Sequence, residues 1–91
     1  MEIIGKIDQI IDKSEAPYKK SLVIVNVYSI NGVENNSKNK QWAVEFRKNL
    51  SDLAKAFKEG DDIKTLCHSD FKKDKHANCY NNVVAEKAER I

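Results

Sequence analysis

Two sets of side chains in this 91-residue chain have types and spacings suited to chemistry. The first is Cys67-His68 with His76 and Cys79, four metal-ligand side chains flanking one candidate hairpin. Thiolate and imidazole are zinc ligands, but a tetrahedral site needs all of them aimed at one point. Adjacent residues of a strand point to opposite faces, which separates Cys67 from His68, and no Cys-x2-Cys knuckle is present. Cys67 therefore reads as a small core residue and the histidines as surface residues, with His76 available to a phosphate. No metal or other cofactor is expected.

The second set is cationic. The stretches Lys13–Lys20, Asn31–Lys40 and Lys72–Asn78 read as loops, and they hold eight of the 16 Lys/Arg but only three of the 14 Asp/Glu. They carry Lys13, Lys19, Lys20, Lys38, Lys40, Lys72, Lys73 and Lys75, so a net charge of +2 conceals loops at +5 and a remainder at −3. Aromatic residues lie among these cations: Tyr18 precedes Lys19-Lys20, and Phe71 precedes Lys72-Lys73. Cations that follow phosphates, with rings that stack on any base, are what single-stranded nucleic acid binding requires. The bland alternative is that the lysines are merely solvated loop ends.

Other classes lack support. No Gly-rich phosphate loop, HExxH motif or GxSxG elbow occurs, and an enzyme is not expected. No apolar run approaches the ~20 residues of a membrane helix. The start, Met1-Glu2-Ile3-Ile4-Gly5-Lys6, lacks a basic-then-apolar leader, so a cytoplasmic location with free thiols is expected.

The elements that must position these residues are mostly strands, because the apolar pattern has period two almost throughout. Ile3–Ile11 is the first, with Gly5 marking a bend or close approach. Ser21–Ile30 is the second, apolar on both faces and so central or at an interface. After the Asn31-Gly32 turn signal, Lys40–Arg47 is the third, with Trp42, Val44 and Phe46 on one face. The period then changes: Leu50, Leu53, Ala54 and Phe57 form a helical stripe, with Asn49 or Ser51 able to cap its start and Gly60 its end. Asp62–Phe71 and Cys79–Ile91 complete a hairpin, though Glu86–Arg90 also reads as a helical end. The expectation is one mainly β domain over residues 1–91, a five-stranded OB-fold (oligonucleotide/oligosaccharide-binding) barrel with one short α-helix between strands 3 and 4. The ligand face of that fold is the outer side of strands 2 and 3, flanked by the 1–2 and 4–5 loops, and two of the basic stretches are those loops.

Met1-Glu2-Ile3-Ile4-Gly5-Lys6-Ile7, Gln41-Trp42-Ala43-Val44-Glu45-Phe46, Asn49–Ala54, Phe57–Asp61 and Tyr80–Lys87 together resemble bacterial single-stranded-DNA-binding (SSB) proteins. They resemble still more a small SSB-like family of single-OB proteins of Bacteroidetes and phages. The resemblance implies the OB fold and single-strand binding, with Trp42 stacking on DNA and an aromatic such as Phe71 doing the same from the 4–5 loop. The chain departs from the pattern at Arg47, where an aromatic is common, and at Ser69-Asp70, where an arginine is common.

The expected partner is therefore single-stranded DNA, with RNA as the alternative. The expected contacts are Lys13, Tyr18, Lys19, Lys20, Lys38, Lys40, Trp42, Arg47, Phe71, Lys72, Lys73, Lys75 and Tyr80. Alternation favours the core for Trp42, while Phe71 either stacks on a base or packs on Tyr80 across the hairpin. The rival reading is a protein-interaction module, with Leu22–Tyr28 apolar enough to bury one face of strand 2 in a homo-oligomer.

Overall fold

A computed structural model describes residues 1–13, 19–73, 75–77 and 79–91, excepting the side chains of Lys72, Cys79, Tyr80 and Asn81. Tyr18 and the Ser14–Tyr18 turn thus lie outside the described residues, as do the side chains of Lys72 and Tyr80.

The alternating runs form β1 (Glu2–Lys13), β2 (Lys20–Ile30), β3 (Val33–Glu34), β4 (Gln41–Arg47), β5 (Asp62–Lys73) and β6 (Cys79–Arg90), with the helix α1 (Asn49–Ala54) between β4 and β5. Neighbours run β1-β5-β6-β4-β2-β3, and β1 also pairs with β2. That last pairing closes five strands into a barrel and leaves β3 as an appended edge. Every ladder is antiparallel except β4–β6, which is parallel and covers only Val44↔Val83 and Glu45↔Val84. The result is the mainly β, OB-like barrel with one short helix that the sequence predicts.

Period two fills the interior. Ile3 and Ile7 enter from β1, Val23, Val25 and Val27 from β2, Val44 and Phe46 from β4, Ile63 and Cys67 from β5, and Ala85 from β6. Ala54 and Phe57 close one end, and the rings of Phe46 and Phe57 meet edge-on at 6.3 Å and 86°. β1 serves two partners, and its register against β2 shifts at Ile4/Gly5 and again at Ile7/Gln9. A Cβ on Gly5 would lie 2.3 Å from the Asn26 carbonyl oxygen, so the crossing is possible only for glycine.

Several local expectations change. The cap position of α1 is Lys48, at φ 53° and with no side-chain cap bond, rather than Asn49 or Ser51. The Ser51 hydroxyl instead donates to the Lys48 carbonyl at 2.6 Å, and its proton is spent there. The helix stops at Ala54 with Lys55 still right-handed, so Gly60 (φ 91°) shapes a later turn and not the helix end. Packing on the barrel, rather than capping, determines where so short a helix begins and ends. Glu86–Arg90 is strand, held by its ladder to β5. Asn31 and Gly32 both have positive φ (51° and 80°), the signature of a two-residue I′ turn, and they return the chain as β3, an element without an apolar pattern of its own. Lys13, Lys20, Lys72 and Lys73, read above as loop residues, lie within strands, because backbone ladders continue past the last apolar side chain.

Candidate nucleic-acid interface

Strand alternation and register set the outer face of β2 and β4. Ser21, Val23, Val25 and Val27 point inward, so Lys20, Leu22, Ile24 and Asn26 point outward. Opposite them stand Arg47, Glu45, Ala43 and Gln41. The middle of the face is aliphatic, with Leu22 and Ile24 half-buried and Ala43 exposed. Trp42 is half-buried and packs against the core with Val44 and Phe46, as its alternation requires.

One end of the face is charged, and its cations are partnered. Arg47 Nε and Nη2 both reach Oε2 of Glu45, at 2.9 and 2.7 Å, and Nη1 donates to Oδ2 of Asp70 at 2.8 Å. Lys20 Nζ stands 3.5 Å from Oε1 of Glu45, which is only 8% exposed. Burial works against the guanidinium charge, but hydrogen bonds to Asp70 and Glu45 outweigh it and raise the Arg47 pKa. Beside this ladder, Lys19 Nζ donates to Oδ2 of Asp52 at 2.8 Å, joining the start of β2 to α1 and holding the Asp52 carboxyl below its ordinary range. Of the predicted contacts, Lys19, Lys20 and Arg47 are thus already in ion pairs. Asp52, Glu45 and Asp70, which pair with them, were not among the predicted contacts. The i, i+2 spacing of Glu45 and Arg47 was a legible signal for one of these contacts. No local pattern announced Asp70.

The β5–β6 hairpin extends beyond the barrel as an arm. Phe71 on it is 65% exposed, and Lys73, Lys75 and His76 are exposed too. Phe71 is registered against Asn81, and Tyr80 against Lys72, so Phe71 and Tyr80 are not direct cross-strand partners. The Arg47–Asp70 bond ties this arm to β4. Lys38 and Lys40 are exposed on the loop before β4, and Lys13 is exposed at the end of β1. That loop is shaped by its own amides: Asn35 is buried, donates Nδ2–H to the Val27 carbonyl at 3.0 Å, and accepts from Ser37 N at 3.2 Å.

Elsewhere, Cys67 is buried, which pushes its thiol pKa up, and His68 is exposed with Nδ1 3.0 Å from Glu86 Oε1. Among the described residues no three His, Cys, Asp or Glu side chains gather as a metal site, and no helix is long and apolar enough to cross a membrane. A separate groove of about 520 Å³ runs between Leu50 and Leu53 of α1 and Leu66 of β5, rimmed by Glu2, Lys64, Lys87 and Glu89.

Neither a protein-family model, nor a curated protein, nor a solved structure matches this chain, so the likeness to SSB proteins rests on the quoted residues alone and assigns no family.

Proposed function

We propose that this chain is a non-enzymatic, cytoplasmic binder of single-stranded nucleic acid, DNA in the first place, with little sequence preference. One observation carries the reading. Phe71 is a large aromatic left 65% exposed, on an arm whose Lys73 and Lys75 are also exposed and which is bonded to β4 of the outer face. Exposing a phenyl ring is unfavourable in water, and stacking on a base among phosphate-binding cations removes that cost without reading sequence. Lys13, Lys38 and Lys40 supply further cations around the same barrel, and Lys19 and Arg47 supply them once Asp52 and Asp70 yield.

The aliphatic middle of the face supports a second role. Leu22, Ile24 and Ala43 offer no ring for stacking, and they suit a second copy of the chain in a homo-oligomer or another protein surface.

The two readings separate on salt. In an anisotropy titration with labelled oligo-dT, micromolar or tighter binding is expected at low salt. Four lysine–phosphate contacts, at about 0.7 ion each, predict about fifty-fold weaker binding at 200 mM than at 50 mM salt. Phe71→Ala is expected to cost about 1–3 kcal/mol of that affinity and to leave folding unchanged. Absence of binding at low salt removes the nucleic-acid reading and leaves the protein-interaction one.

A further inference from the structure

Arg47 holds its two carboxylates in unequal ways. Glu45 lies two positions away on the same strand, receives both Nε and Nη2 on one oxygen (2.9 and 2.7 Å), and turns its other oxygen to Lys20 at 3.5 Å. At 8% exposure it cannot leave without stranding a buried charge, so it is a permanent counter-ion. Of the Arg47 nitrogens, Nη1 alone reaches Asp70, at 2.8 Å, and Asp70 comes from another strand. The Arg47 and Asp70 side chains are 32% and 29% exposed, so ions in solution reach this contact. A carboxylate and a phosphodiester offer the same thing to a guanidinium N–H, an anionic oxygen for a charge-assisted hydrogen bond.

We infer that Arg47 is a phosphate site masked by Asp70, and that a backbone phosphate of the bound strand takes the place of the Asp70 carboxylate on Nη1. The exchange trades one charge-assisted bond on Nη1 for another, and water already reaches the Asp70 side chain. Glu45 and Lys20 keep the guanidinium oriented throughout. Because Asp70 is adjacent to Phe71, the exchange also releases the side-chain bond from β4 nearest the exposed ring, while the β4–β6 ladder stays in place. This inference rests on the nucleic-acid reading and adds regulation to it: nucleic acid must outcompete an internal anion, which lowers affinity for single phosphates and rewards a polymer that contacts Arg47 and Phe71 together.

A double-mutant cycle tests it. Oligo-dT affinity is measured by anisotropy for the parent, Asp70→Asn, Arg47→Gln and the double variant, with urea unfolding of each to confirm the fold. Removing the mask is expected to tighten binding about two- to five-fold when Arg47 is present, the scale of a partly exposed ion pair, and to change nothing when it is Gln. An equal gain in both backgrounds shows that Asp70 acts only by general repulsion and overturns the proposal. So does unchanged or weaker binding by Asp70→Asn, which leaves the nucleic-acid reading standing. If neither the parent nor Asp70→Asn binds oligo-dT, the reading itself falls and the mask with it.

Discussion

Gly5 shows what one residue decides here. It sits where β1 shifts register against β2, and a methyl group there would meet the Asn26 carbonyl oxygen at 2.3 Å and Val25 Cγ1 at 2.6 Å. One of those neighbours is backbone and cannot step aside cheaply. Gly5→Ala is therefore expected to destabilise the fold by about 2–3 kcal/mol, the upper range of overpacking, read as a lower urea midpoint at unchanged slope. A midpoint equal to the parent's would show that the crossing has slack. Alternation alone placed Trp42 and Phe46 correctly on the core side, because a strand leaves a side chain only two directions. The partners of Arg47 were less legible. Glu45 shares its strand and face, but Asp70 is 23 positions away, and only the fold brings the two within 2.8 Å.

Among the elements, α1 was legible as a stripe and illegible at its ends. Leu50, Leu53, Ala54 and Phe57 all contribute to the barrel's closed end, yet the regular helix spans only Asn49–Ala54. Phe57 comes after the helix, where its N–H donates to the Ala54 carbonyl at 3.2 Å in a 3₁₀-type turn and its ring meets Phe46 edge-on. Phe57→Ala is expected to cost about 3–5 kcal/mol, a large share of the stability of so small a domain. A urea titration that finds a loss below about 1 kcal/mol would mean that the Phe57 ring is dispensable to the core. The five barrel strands were legible in number and in order along the chain, β3 was not, and the first, second and fourth were read short. β5 runs on through Lys72 and Lys73, and β2 begins at Lys20, because hydrogen-bonded pairing is a backbone property that composition does not mark. Several lysines assigned to loops are consequently held in register on stiff hairpins, which gives the arm that bears Phe71 a defined position.

At the scale of the whole molecule, the barrel is built from distant pairings such as Glu2↔Leu66, Ile3↔Ile30 and Val44↔Val83. The ends of the chain are tied in as well. The amino terminus donates to the Cys67 carbonyl at 2.9 Å, and Arg90 Nη2 donates to the Ala56 carbonyl at 2.7 Å. Loop-closure entropy must be met before such contacts form, so refolding is expected on the millisecond-to-second scale. Stopped-flow fluorescence of Trp42 checks this, and microsecond refolding would contradict the closed topology. The sequence by itself determined the mainly β class, the count and order of the barrel strands, the inward face of the third strand and the segregation of positive charge. Each of these follows from local periodicity and composition. Only the tertiary structure decided which charges remain unpaired. It set Glu45, Asp70 and Asp52 against Arg47, Lys20 and Lys19, and it left Phe71 in solvent. Whether a cation is available to a ligand depends on which carboxylate lies within hydrogen-bonding distance of it, and that distance is set by strand register and barrel closure rather than by position along the chain.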